Sequence, residues 1–175
     1  VPTGINSVIG RRNYAGIGGL FRFAEEKGVN EIEFLRYKPA GRSRNSYLKE
    51  KTTDEQNREI IPLLNAAGRR ASFMIKIDCS FAPMLAEQNP SQDLLERMGA
   101  YGCEAGNALL GVSSSGRVSG CSFLKEEGLM IGDLVEAWTA DPRFQKIRSF
   151  TENAPEPCRS CPYLDYCKGG CRAVA

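Results

Sequence analysis

The sequence predicts an α/β fold of parallel strands and helical crossovers, followed by a smaller cysteine-rich α+β part that contains a β-hairpin. Three observations carry this. The first half alternates strand-like and helix-like stretches, the pattern of βαβ units. Beyond Cys79 the elements shorten and polar loops take over. Six of the seven cysteines then fall into two spaced groups, where regular structure is scarce.

Residues 4–10 (GINSVIG) read as a short strand. Residues 14–27 read as a helix, because Ile17, Leu20, Phe21 and Ala24 share one face and Gly28 suits a C-terminal cap. Residues 31–37 (EIEFLRY) form a second strand with Ile32 and Phe34 on one side. A loop with several basic residues spans 38–52; Lys38, Arg42 and Arg44 in it are expected to be solvated, or else to meet an acidic peptide. Thr53 and Gln56 make a capping box for a helix through Ile60, Ile61 and Leu64, which Pro62 is expected to kink or interrupt. Residues 72–78 (SFMIKID) form a third strand that ends at Cys79. Three strands do not complete an open sheet or a barrel, so further strands are expected upstream of Val1.

The second part begins with a polar linker, residues 88–92, and a short helix over 93–98. Residues 109–112 and 117–119 read as two short strands joined by the turn Ser113–Gly116. Short helices are expected over 133–139 and 142–150, with Trp138, Phe144 and Ile147 facing inward. The division is placed between residues 1–87 and 88–175.

With 42% hydrophobic residues among 175, the chain can bury a real core. A net charge of +2 is too small to argue for nucleic acid or an anionic membrane. No run approaches the ~20 apolar residues of a bilayer span. No secretory signal opens the chain, which points to the cytoplasm, where clustered cysteines hold metal more often than they form disulfides. The chain starts at Val1 and stops four residues after Cys171, and is read as a piece of a longer protein.

The cysteines follow two patterns. Cys103, Gly116 and Cys121 make C-x12-G-x4-C, and Cys158, Cys161, Cys167 and Cys171 make C-x2-C-x5-C-x3-C. A C-x2-C turn can aim two thiolates at one centre. Gly169 and Gly170 let the backbone turn unusually and pass close to a bulky cofactor. Cys103 and Cys121 flank the hairpin, which can bring them together near its base. Thiolates select iron–sulfur clusters, zinc or Cu(I), and there is no histidine. These spacings leave an iron–sulfur site and an all-cysteine zinc site both open; disulfides or inert buried thiols fit them less well.

From Cys103 to Cys171 the chain resembles the SPASM domain, the C-terminal extension of many radical S-adenosylmethionine enzymes. That family's pattern is C-x9–15-G-x4-C, a gap, C-x2-C-x5-C-x3-C, a second gap and a last cysteine. Every spacing through Cys171 is met, and the last cysteine is absent. Residues 4–13 and 34–42 resemble, less specifically, the fifth and sixth strands of the family's partial (β/α)6 TIM-like barrel. The family's signature C-x3-C-x2-C is missing and is expected upstream of Val1.

The resemblance implies the C-terminal half of an enzyme that oxidatively modifies a peptide or peptide-derived substrate. In such an enzyme a barrel-bound 4Fe–4S cluster, fed by a reductant such as ferredoxin or flavodoxin, splits S-adenosylmethionine to start radical chemistry; the isolated chain is expected to be inactive in it. It further implies two auxiliary 4Fe–4S clusters, for electron transfer or substrate binding. Cys103, Cys121 and Cys171 would bind the inner one, with Cys79 as its fourth ligand or as a plain buried thiol. Cys158, Cys161 and Cys167 would bind the outer one. Asn6 and Arg36 would line the S-adenosylmethionine site, or else face solvent or cap a loop. Two other classes remain: a zinc-stapled binding module without catalysis, and an iron–sulfur electron-transfer protein.

Overall fold

The computed structural model describes residues 1–98, 101–124 and 129–174. Three parallel strands, β1 (Gly4–Ile9), β2 (Glu31–Arg36) and β3 (Met74–Ile77), form one sheet in the order β1-β2-β3. Helix α1 (Ile17–Lys27) connects the first two strands. Between β2 and β3 the chain passes through α2 (Tyr47–Glu50) and α3 (Asp54–Gly68). The architecture is α/β, as the alternation predicts.

The pleat sorts the strand residues. Ile5, Ile32 and Ile75 are register neighbours, as are Ser7, Phe34 and Ile77. That face packs on Ile17, Phe21 and Ala24 of α1 and on Ile60, Ile61 and Leu64 of α3. Ile32 and Phe34 are wholly buried in the middle of this core. The opposite face carries the register row Asn6, Glu33, Lys76 and is open: Val8 is 48% and Met74 60% exposed.

Helix α3 starts as expected. Thr53 Oγ1 accepts from the Gln56 amide at 3.1 Å, and Gln56 Oε1 accepts from the Thr53 amide at 3.0 Å. Pro62 does not interrupt it. Pro62 lies on the exposed side, so the Arg58 carbonyl that loses its partner can turn to water. Meanwhile Ile60, Ile61 and Leu64 anchor the helix on both sides of the break.

The loop over 38–52 is more ordered than its composition suggests. It contains a 3₁₀ turn, Gly41–Asn45, as well as α2. The Glu50 carbonyl accepts from the Arg11 amide at 2.7 Å, tying the loop to the end of β1. A Cβ on Gly10 would sit 2.7 Å from that carbonyl, so only glycine allows the approach.

After β3 the chain turns through Cys79–Phe81, where the Asp78 carboxylate accepts from the Ser80 amide at 3.1 Å. Two short helices follow, α4 (Ala82–Ala86) and α5 (Gln92–Met98). The first of these is unforeseen by periodicity, because five residues carry too little of it. Phe81, Met84, Leu85 and Leu95 join the first core, and Tyr163 and Tyr166 pack on it from near the C-terminus.

The rest is built around the hairpin of β4 (Gly111–Val112) and β5 (Val118–Ser119). Gly116 closes its turn with φ +78°, where a side chain would be strained. Helices α6 (Leu134–Ala140) and α7 (Pro142–Arg148) pack beside it. The second core is small: Val118 and Phe144 are buried, with Leu110, Leu129 and Leu134 partly so. Arg148 braces it, donating to the Gly106 carbonyl at 2.8 Å and the Trp138 carbonyl at 2.5 Å while lying over the Trp138 ring. A last helix, α8 (Leu164–Cys167), precedes Gly169 and Gly170. Among the described residues no helix is long and apolar enough to cross a membrane.

Asp141 caps α7, accepting from the Arg143 amide at 2.8 Å, with Pro142 opening the helix. Its hydrogen bonds to the Arg143 side chain hold its pKa down at about 2. Asp141→Ala is expected to lower stability at neutral pH by about 1 kcal/mol. The carboxylate is favoured in the folded state, so the wild-type advantage is full above its ordinary value of 3.8 and fades as pH falls toward about 2. Urea unfolding of both proteins across that range measures it.

Candidate metal centre

Four cysteines from four separate segments line one cavity of about 810 Å³. Cys79 follows β3, Cys103 precedes the hairpin, Cys121 follows it, and Cys171 follows the double glycine. The Asp78 cap turns the chain out of the strand and so presents Cys79. Ser119 Oγ donates to the Cys121 carbonyl at 2.9 Å and holds the far end of the hairpin. Leu35, Leu85, Leu109 and Phe123 give the cavity apolar walls.

Three of these sulfurs are in hydrogen-bond contact. The Cys79 thiol faces Cys103 and Cys171 at once. Its hydrogen bond brings Cys103 down to about 5 and Cys171 down to about 7. Cys79 is pushed up in turn, mainly because it keeps the proton that serves Cys103 and Cys171. Backbone amides add to this: those of Arg172 and Ala105 donate to Cys103, and that of Ala173 to Cys171. Cys103 and Cys171 are thereby prepared for negative charge.

The second group lies alongside. Cys158 and Cys161 share a tight turn, with the Cys161 amide donating to the Cys158 carbonyl at 3.1 Å. Cys167 ends α8, within electrostatic reach of both. Burial raises its pKa, and the amides of Gly170 and Gly169 oppose that by donating to it. Lys168, Gly169 and Gly170 all have positive φ, and this turn brings the amides of Gly169 and Gly170 to the Cys167 sulfur. The two glycines approach protein side chains: a Cβ on Gly169 would lie 2.7 Å from the Phe150 ring, and one on Gly170 2.8 Å from Pro83.

The two groups are zipped together. The Gly102 amide donates to the Tyr166 carbonyl at 2.6 Å, and a Cβ there would run into the Cys167 carbonyl. Lys168 and Glu104 form an ion pair across the same seam. All seven cysteines are free thiols. Among the described residues no group of cysteine, aspartate or glutamate side chains is arranged around a single metal ion. The sulfurs instead ring a space. Thiol donors without imidazole, amides aimed at sulfur and room between the donors together fit an iron–sulfur centre.

The other expected residues are placed apart. Asn6 lies on the open face of the sheet and is exposed. Arg36 pairs in register with Ile9, and the pleat puts it on the opposite side from Asn6. Its Nη1 donates to the Ser80 carbonyl at 3.0 Å, and burial lowers its pKa. Lys38 corrects an expectation: it is not solvated but 6% exposed. It pairs with Asp78 and lies 4.6 Å from the centre of the Phe123 ring. Nothing in a basic loop distinguishes that lysine from its neighbours. Arg172, against the cavity, also escaped notice, although its place beside Cys171 was a signal.

Comparison with known proteins agrees with the donor set. Residues 103–162 match the SPASM family, an iron–sulfur cluster-binding domain. The chain carries a SPASM domain. Beyond that domain, its whole length is similar to radical S-adenosylmethionine enzymes of the SPASM type. It is 27% identical to the PqqA peptide cyclase of Gluconobacter oxydans, over 100% of this chain and 47% of that protein. It is 26% identical to the mycofactocin maturase MftC of Mycobacterium tuberculosis, over 97% of this chain and 42% of that protein. The chain therefore spans less than half the length of these curated relatives. The fold matches that of Streptococcus suis SuiB bound to S-adenosylmethionine, with a TM-score of 0.63 and 22% identity, covering 98% of this chain and 41% of that one. SuiB bound to the precursor peptide SuiA matches at the same TM-score, with 23% identity and the same coverage.

The seam yields a prediction. Gly102→Ala must displace the Cys167 backbone and is expected to cost about 1–3 kcal/mol of stability. Gly132→Ala is the control, since a Cβ there meets nothing within 4 Å. Thermal unfolding of the two variants side by side decides it.

Proposed function

We propose that the chain belongs to a radical S-adenosylmethionine enzyme that oxidatively modifies a peptide or peptide-derived substrate, and that its cysteines hold two auxiliary 4Fe–4S clusters. The observation that carries this is the convergence of Cys79, Cys103, Cys121 and Cys171 on one cavity from four places in the chain. In this reading those four hold the inner cluster, and Cys79 is its fourth ligand. Cys158, Cys161 and Cys167 hold the outer one, completed by a ligand from outside this set. When bound, such clusters supply one-electron transfer or an iron site for substrate.

The chain's own residues serve that arrangement. Residues 1–87 supply the end of a partial barrel, and residues 88–175 the cluster-bearing part. Asn6, on the open face of the sheet, is the residue we assign to S-adenosylmethionine. Arg36, on the opposite side of the sheet and hydrogen-bonded to Ser80, orients the turn that presents Cys79. The apolar walls of the cavity limit the water around the sulfurs, most of all at the buried Cys103 and Cys171. The pairing of Lys38 with Asp78 keeps a buried cation beside Cys171 without leaving it uncompensated. A peptide substrate is supported by what the relatives act on or bind: one is a peptide cyclase, and SuiB is seen with a precursor peptide. A cytoplasmic location and a ferredoxin- or flavodoxin-like reductant accord with this chemistry.

Anaerobic loading with iron and sulfide tests the reading. The protein is expected to turn brown and hold roughly eight irons with matching acid-labile sulfide, as two four-iron clusters require. Cys103→Ala and Cys158→Ala should each remove about half of that iron. Cys79→Ala should change the paramagnetic-resonance signal of the inner cluster alone. A colourless protein with stoichiometric zinc would overturn the proposal in favour of a zinc-stapled module.

A further inference from the structure

Between the two cysteine groups lies a cation that neither group's ligation requires. The Arg172 guanidinium stacks 3.5 Å from the centre of the Phe150 ring. Its Nη2 donates to the Lys168 carbonyl at 2.7 Å. The same residue lines the cavity of Cys79, Cys103, Cys121 and Cys171. A Cβ on Gly169 would fall 2.7 Å from Phe150 and 3.2 Å from Arg172 Nη1, so the first glycine of the pair leaves room for the stack.

Two lysines near the sulfurs are neutralised, Lys38 by Asp78 and Lys168 by Glu104. Arg36 donates to the Ser80 carbonyl and Arg159 to the Ala154 carbonyl, each beside one cysteine group only. Among the described residues no carboxylate pairs with Arg172. Its charge faces sulfur on both sides. Cys103 and Cys171 of one group and Cys158 and Cys167 of the other all lie within its electrostatic reach. An arginine stacked on an aromatic face also keeps its charge when partly desolvated.

We propose that Arg172 is a positioning residue shared by both centres: clamped on Phe150, it is the fixed positive charge that holds the two sulfur-rich centres at less negative reduction potentials. This rests on the cluster reading above. Reduction adds an electron to an already anionic centre, and a nearby fixed cation makes that step easier. Cluster potential follows net charge and local hydrogen bonding, and partners beyond the ligands commonly tune a site. One cation placed between two centres couples to both, so removing it must move both in the same direction.

The test compares Arg172→Met and Arg172→Lys in the anaerobically loaded protein, with iron content and redox titrations of both centres as readouts. Arg172→Met, loaded, is expected to make both midpoint potentials more negative, by about tenfold in the oxidised-to-reduced ratio at fixed potential (~59 mV for one electron). Arg172→Lys should retain most of the wild-type value. If Arg172→Met fails to take up iron, recovery of iron by Arg172→Lys supports the role of charge. Failure of both variants would show that the stack and its hydrogen bonds merely hold the fold, and would overturn the inference. Unchanged potentials in loaded Arg172→Met, or a shift at one centre only, would overturn it as well. A wild-type protein that takes up no iron would instead defeat the cluster reading itself, and the inference with it.

Discussion

The C-terminal part of this molecule depends on bringing thiols together from places far apart in sequence, with very little apolar core to help. Val118 and Phe144 are its buried centre. A core of that size stabilises little against the entropy of ordering some eighty residues, at about 1–2 kcal/mol per residue for the backbone alone. Polar connections make up part of the difference. Arg148 ties α7 to the Gly106 and Trp138 carbonyls. Gly102 and Tyr166 join the two cysteine-bearing segments, and Glu104 with Lys168 closes the same seam. What remains is a task suited to a metal centre, whose binding energy is folding energy wherever the site is absent from the unfolded chain.

The α/β part contributes rigidity and direction. Its core draws on both crossover helices and one face of the sheet, and it also takes in Leu95, Tyr163 and Tyr166 from the second part. This shared packing gives α8, and so Cys167, a fixed position against α4. At the end of β3, Asp78 does two things. It caps the turn that presents Cys79, and it pairs with the buried Lys38. One carboxylate thereby links a strand end, a loop and a thiol of the cavity.

Much of this was legible in residue patterns. The strands, α1 and the capped start of α3 follow from periodicity and from Thr53 and Gln56, which act locally. The cysteine spacings are local too, and they announced thiolate chemistry and a hairpin closed by Gly116. Pro62 does not interrupt α3, because its effect depends on which side of the helix meets water. Lys38 misled because burial of a lysine depends on Asp78, forty residues away in the chain. The helix α4 is too short to carry a periodic signal.

Residue types and their intervals determined by themselves that the chain pairs a βαβ scaffold with spaced groups of thiols, because short-range periodicity and cysteine spacing are properties of neighbouring residues. Tertiary structure alone decided that Cys79 meets Cys103 and Cys171, that Asn6 and Arg36 take opposite sides of the sheet, and that Arg172 stands between both sulfur groups. Each of these depends on where separate segments come to rest against one another. That is settled by packing and charge compensation summed over the whole fold, which no interval in the chain encodes.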